Sequence, residues 1–160
     1  MQHIIHPIPA FYRPNSRVLI LGSFPSVKTR ESGFFYGHPQ NRFWKLLSLL
    51  YSEETPGTVP EKAAFLARHK IACWDSIREC DIVGSSDASI RNAVPNDFTE
   101  ILSATGLRRI YTNGKKSHEI YRSCCLANTG IEDICLPSTS PANAAWSLER
   151  LADAWRIILE

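Results

Sequence analysis

The residue types best suited to chemistry are gathered in one stretch. It runs from Gly22-Ser23-Phe24-Pro25-Ser26-Val27-Lys28 to Gly37-His38-Pro39-Gln40-Asn41-Arg42-Phe43-Trp44. The stretch opens where the apolar run Val18-Leu19-Ile20-Leu21 stops at Gly22, and it closes where an amphipathic helix starts after Asn41. A buried strand, a long loop rich in Gly, Pro and Ser, and then a helix start is how α/β proteins build a binding crevice. The loop exceeds the roughly 2–6 residues usual for a strand-to-helix link. It also carries Phe34-Phe35-Tyr36, an aromatic cluster that solubility does not call for. The segment reads as the floor and one wall of a pocket.

Three further segments should reach the same place. They are the turn Trp74-Asp75-Ser76, the stretch Thr112-Asn113-Gly114-Lys115, and the run Pro137-Ser138-Thr139-Ser140-Pro141-Ala142-Asn143. Each follows a short apolar run, and in an open parallel sheet the site lies beyond the C-terminal strand ends. Together they supply small hydroxyls, amides, helix-start N–H groups and one lysine, a set suited to phosphate or to a polar heterocycle. Neither a Ser-His-Asp triad nor a phosphate-binding P-loop is present. The five cysteines (Cys73, Cys80, Cys124, Cys125 and Cys135) form no C-x-x-C pair. A metal site therefore has little support, and neither metal nor cofactor is expected.

Stepping outward, the elements that must position these segments alternate. Strands are predicted at Arg17 to Leu21, Ile71 to Trp74, Arg109 to Thr112 and Asp133 to Leu136. Helices are predicted over Arg42 to Leu50, from Pro60 to about His69, from an Asn96 cap through Ala104, and over Lys115 to Leu126. A final helix is expected to be capped by Ser140, with Pro141 in its first turn. Residues 1–16, rich in proline, read as an extended arm, and Asp81 to Pro95 as irregular. The pattern implies an α/β fold of three layers, α/β/α, around a central, mostly parallel, four-stranded sheet. At 160 residues one domain is expected, spanning 1–160.

Bulk properties exclude little. A net charge of +2 is too small to announce a nucleic-acid partner, and the pairs Arg108-Arg109 and Lys115-Lys116 serve equally as solvated surface. The N-terminal residues Met1 to Pro7 lack the charged and apolar regions of a signal peptide, and no run is long enough to span a bilayer. A cytoplasmic protein with no membrane partner is the expectation.

In order along the chain, Gly22-Ser23-Phe24-Pro25-Ser26, Gly37-His38-Pro39-Gln40-Asn41-Arg42-Phe43-Trp44 and Ser138-Thr139-Ser140-Pro141-Ala142-Asn143 resemble the motifs of the uracil-DNA glycosylase superfamily. The middle stretch is similar to the His-Pro-x-Asn-Arg-Phe-Trp of mismatch-specific uracil-DNA glycosylases. The branch most resembled is that of the hypoxanthine-DNA, or deoxyinosine, glycosylases. Trp74-Asp75-Ser76 and Val94-Pro95-Asn96-Asp97-Phe98 extend the similarity over almost the whole chain.

The resemblance implies a monofunctional DNA repair enzyme whose partner is DNA containing a deaminated base. It would flip that base, hypoxanthine with uracil as a further candidate, and hydrolyse its N-glycosidic bond to leave an abasic site. A monomer is expected. A uracil or mismatch-specific glycosylase is the alternative, and a lesion-binding module without hydrolysis is another. The last arises because most of the superfamily carries Asp, Asn or Glu where this chain has Phe24, which can neither activate nor position water.

By match of motif, Asn41 is the catalytic candidate, orienting water by an amide rather than removing its proton; it is equally placed to cap the following helix. Tyr36 matches an aromatic that stacks on the flipped base, or packs with its neighbours. Phe24, His38 and Asn113 are the other candidates for the base pocket. Each has a plain reading as core, structural histidine or Asn-Gly turn. Gly22, Ser23, Lys115, Ser138, Ser140 and Asn143 are the candidates to grip DNA phosphates. Lys115 reads also as surface, and Ser140 as a cap. Where many relatives begin the last motif with His-Pro, this chain has Leu136-Pro137, which weighs against uracil as the preferred substrate and leaves a purine open.

Overall fold

A computed structural model describes residues 1–160. Its centre is β2 (Val18–Gly22), in which Leu19, Ile20 and Leu21 are wholly buried. Continuous apolar sequence is what a parallel strand covered on both faces requires. β3 (Ile71–Asp75) pairs with one edge of β2, and β6 (Arg109–Asn113) with the other. β7 (Asp133–Leu136) completes a parallel sheet of order β3-β2-β6-β7. The chain leaves β2 on one side for β3 and returns on the other for β6, so the strand order reverses at β2. Ligand crevices form at such a reversal. The register sets Gly22 beside Asp75, Leu21 beside Thr112, and Asn113 beside Leu136. The strand ends thus present one continuous rim.

Alternation along β2 feeds two cores. Val18 and Ile20 face α2 (Phe43–Tyr51), α3 (Val59–Arg68) and α7 (Leu148–Trp155), where Phe43, Leu46, Leu47, Phe65, Leu66, Leu151 and Trp155 are buried. Leu19 and Leu21 face the other way, onto α4 (Thr99–Ala104) and the helical stretch formed by α5 (Lys115–Ile120), a π-helical turn at Tyr121–Cys125, and α6 (Leu126–Thr129). The three-layer arrangement expected from the alternation is the one observed.

Five expectations are corrected. The N-terminal arm contains a strand, β1 (Gln2–Ile5); β4 (Ile77–Ile82) runs into the start of the supposedly irregular section, and β5 (Arg91–Pro95) ends it. These three make a second, antiparallel sheet of order β1-β4-β5. Its apolar face is thin (Ile77, Cys80, Ile82 and Ile90), and register shifts in β4 break the period-two signal. Within the long loop, α1 (Val27–Ser32) is capped by Ser26, whose Oγ accepts from the Thr29 N–H.

Asn96 does not cap α4. Its buried amide instead donates to the Asp75 carbonyl at 2.8 Å, while Asp97 accepts from the Thr99 N–H. Ser140 caps only a single 3₁₀ turn, Pro141–Asn143; the last helix begins at Leu148, with Ser147 accepting from the Arg150 N–H. The Ser-Pro start signal is genuine, but its turn ends before the apolar period resumes.

Candidate active site

At the C-terminal rim of the parallel sheet lies a cavity of about 110 Å³. By this measure one water occupies at least about 10–15 Å³, so the cavity admits several waters or a flat ring. Its walls come from all four predicted segments. Gly22, Phe24, Tyr36, Asn41, Asn113, Ser138 and Ser140 line it, joined by Ser23, Thr139 and two carboxylates, Asp75 and Asp87.

Asn41 sits one residue before the N-cap of α2, and its Oδ1 does two things. It accepts from the Phe43 N–H at 2.9 Å, satisfying a helix-start donor, and from the Thr139 hydroxyl at 2.8 Å. Backbone N–H can only donate, so the partner atom must be the amide oxygen and the orientation of the amide is fixed. Both lone pairs of Oδ1 are spent within the protein, and Nδ2 with its two hydrogens is the part left for a ligand. One amide thus serves the start of α2 from the position before its N-cap and also lines the cavity. Arg42 anchors the facing loop: its guanidinium donates to the Asn143 carbonyl at 3.0 Å and to the Trp146 carbonyl, and its N–H donates to the Thr139 carbonyl at 3.1 Å.

Asn113 is committed to the same loop. Its Oδ1 accepts from the Thr139 N–H and its Nδ2 donates to Thr139 Oγ1, both at 3.0 Å. Thr139, wholly buried, thus relays between the two asparagines. The Gly114 that follows adopts φ +99°, and a Cβ there would stand 3.1 Å from that of Ser138, so the β6 end and the loop approach closely.

Tyr36 has φ +53°, a conformation costly for a bulky residue and one that concentrates at functional sites. Its ring stacks on Phe43 with centroids 4.0 Å apart. Its hydroxyl is buried without a hydrogen-bond partner. Burial first, then the Asp75 carboxylate, push its pKa well above the phenol value; the nearby Asn113 amide acts against them. The group is a protonated donor at neutral pH.

Asp75, at the end of β3, is buried. Its Oδ2 lies 2.6 Å from His6 Nε2, and both side chains are at most 6% exposed. His6 Nδ1 accepts from the Ile8 N–H, which puts the imidazole proton on Nε2, pointing at Asp75. The His6 ring meets Phe24 edge-on at 5.7 Å. Asp87 accepts from the Ser23 hydroxyl at 3.0 Å. The residue is exposed on its outer side, but its carboxyl is mostly enclosed, and burial raises its pKa. Thiols contribute no nucleophile: burial holds Cys73 well above its usual value and pushes Cys125 up to about 12.

His38, Lys115 and Asn143 are not walls of this cavity. His38 Nδ1 accepts from the Gln40 N–H at 3.0 Å, a local loop bond. Lys115 and Asn143 line a wider adjoining groove of about 620 Å³ together with Trp146, and Ser138, Ser140 and Asp87 lie between the two. Sequence reasoning missed His6, left Asp75 and Asp87 unassigned, and gave Thr139 and Arg42 no part. Asp75 had a legible signal, since it ends a strand next to one already placed at the site. His6 had none, because its strand was not foreseen.

Comparisons with known proteins agree with the fold. The model of the family described as the Uracil DNA glycosylase superfamily matches residues 9–159. A Methanosarcina acetivorans protein named Hypoxanthine DNA glycosylase is 33% identical over 152 residues, 94% of each chain. Its Methanosarcina barkeri namesake is 32% identical over 149 residues, 92% of each. The solution NMR structure of a Methanosarcina acetivorans protein, described as a candidate uracil DNA glycosylase, superposes with a TM-score of 0.80 at 31% identity. That match covers 98% of this chain and all of the other.

Proposed function

The chain belongs to the uracil DNA glycosylase superfamily, and we propose that it excises hypoxanthine from DNA as a one-domain, monomeric enzyme without metal or cofactor. That it is a DNA glycosylase follows from the family and from relatives covering more than nine-tenths of its length. The observation that carries the finer reading is the convergence of Asn41 Nδ2, the Tyr36 ring and the 138–140 loop on one small polar cavity.

In this reading the deaminated nucleotide leaves the duplex and its base enters the cavity. Extrusion costs a few kcal/mol and is cheapest for a mispaired base, so deamination itself lowers the barrier to entry. Phe24 and Tyr36 offer aromatic surface to the base. The backbone is gripped outside, by Lys115, Asn143, Ser138 and Ser140 in the adjoining groove. Asn41 Nδ2 donates to the attacking water or to the base as negative charge develops. Such preorganised donors are worth about 2.7–4 kcal/mol in the transition state.

The relatives named Hypoxanthine DNA glycosylase support hypoxanthine over uracil. The test is alkali cleavage of matched duplexes carrying deoxyinosine, deoxyuridine or a normal base. Strand breaks at deoxyinosine support the proposal, and breaks confined to deoxyuridine replace it with a uracil specificity.

A further inference from the structure

Hydrolysis of an N-glycosidic bond needs an acceptor for the proton of the attacking water, and the residues assigned so far do not supply one. Asn41 has no free lone pair, because Phe43 and Thr139 occupy both. Phe24 has no polar atom. Asn113 offers only a weakly basic amide oxygen, which already accepts from the Thr139 N–H. Of the two carboxylates on the cavity, Asp87 belongs to an otherwise exposed residue and holds the Ser23 hydroxyl. Asp75 is the buried one.

Several features make Asp75 a built acceptor rather than an incidental acid. His6 donates to Oδ2, and the Ile8 N–H fixes the tautomer that lets it do so; Oδ1 then opens on the cavity with no protein donor. Asn96 clamps the backbone of the same residue through its carbonyl. Gly22, its register partner, leaves the space that Oδ1 occupies: a Cβ there would lie 2.4 Å from Oδ1. The Tyr36 hydroxyl stands 3.4 Å from the same hypothetical Cβ, buried and protonated, with only the Asn113 amide nearby and no hydrogen bond of good geometry. A carboxylate oxygen and a phenol hydroxyl therefore lie close together beside the Gly22 Cα, at the edge of the cavity. Each supplies what the other's ligand needs, which is how a water molecule is held.

We propose that Asp75, held by His6, is the general base of this enzyme and that the Tyr36 hydroxyl completes the seat of the nucleophilic water. The inference rests on the glycosylase reading above. As the C1′–N9 bond of the purine nucleotide breaks, its electron pair leaves with the base. The water oxygen bonds to C1′, and the water proton passes to Asp75 Oδ1. The released base takes its proton from solvent, and Asp75 returns its own there after the abasic strand departs. His6 holds Asp75 Oδ2 through Nε2 and acts as a positioning residue. The carboxylate that position 24 lacks is in this way supplied from the neighbouring strand.

The experiment compares wild type, Asp75→Asn and Tyr36→Phe in single-turnover excision from a deoxyinosine duplex, beside affinity for that duplex and thermal unfolding. Asn at 75 can still accept from His6 but turns an amide N–H₂ toward the water. The expected result is a loss of about a hundredfold or more in rate, typical of a general base, with duplex affinity within about threefold. A loss smaller than about tenfold, or one matched by an equal loss of affinity, overturns the proposal. Tyr36→Phe keeps the aromatic ring and removes only an unpaired hydroxyl, so it decides the matter even if Asp75→Asn fails to fold. Slower excision at an unchanged or higher melting temperature supports the proposal, whereas undiminished excision overturns it. A wild type that forms no abasic site on any lesion refutes the glycosylase reading instead, a result distinct from both.

Discussion

Asn41 combines two jobs in one amide, and two substitutions separate them. In Asn41→Ala the Phe43 N–H loses its cap, worth about 1 kcal/mol. The buried Thr139 hydroxyl also loses its acceptor, worth about another 1 kcal/mol. For a chain of this length a destabilisation of roughly 2 kcal/mol lowers the melting temperature by about 4–8 °C. Asn41→Asp keeps an oxygen for both partners and places an anion at a helix start, where it is welcome. Its melting temperature should fall little or not at all. What Asp cannot provide is the Nδ2 donor, so both variants should excise deoxyinosine about a hundredfold or more slowly. Single-turnover excision and thermal unfolding on the same preparations give both numbers. An Asn41→Asp enzyme as fast as wild type, or faster, would mean that position 41 is asked for an acceptor. That result would refute the division of labour between Asn41 and Asp75.

Gly22→Ala drives a methyl group to within 2.4 Å of Asp75 Oδ1, so the carboxylate must move; a stability loss of about 1–3 kcal/mol and a marked loss of excision are expected, and full activity would show that its position is not critical. Alkaline unfolding reads Tyr36: the fold keeps its phenol protonated while the unfolded chain ionises near 10, so stability present below that pH is lost as pH rises above it. The melting temperature of Tyr36→Phe should therefore fall less steeply above pH 10 than that of wild type, and parallel curves would contradict the burial of this hydroxyl. Lys115→Ala should reduce the slope of log affinity against log salt by about 0.9 for duplex DNA, and an unchanged slope would remove Lys115 from the phosphate contacts.

What could be read from the sequence follows its periodicity. Val18 to Leu21 is apolar on both faces, and Phe43, Leu46, Leu47 and Leu50 keep helical spacing, so the parallel sheet and its covering helices were legible. The ordered motifs also located the rim on which Gly22, Asn41, Asn113 and Ser138 meet. The antiparallel sheet was not legible. Its strands mix Glu79, Asp81 and Arg91 with few apolar residues, and His3 pairs with Glu79 and Asp81 across it in contacts only the fold reveals. That sheet brings His6 to Asp75 from 69 residues away. Local signals misled wherever a polar residue bonds far along the chain: Asn96 resembles a cap and serves Asp75, and Asn113 resembles a turn and serves Thr139. Only Asn41 meets both its local and its distant reading.

The central claim is that this chain breaks the bond between hypoxanthine and deoxyribose. The most direct measurement is mass spectrometry of a deoxyinosine duplex incubated with the enzyme, following both the free base and the strand it leaves. The account predicts free hypoxanthine and an intact abasic strand in equal amounts, with neither formed from the undamaged duplex. An unaltered deoxyinosine strand, under conditions in which the protein binds that duplex, would contradict it.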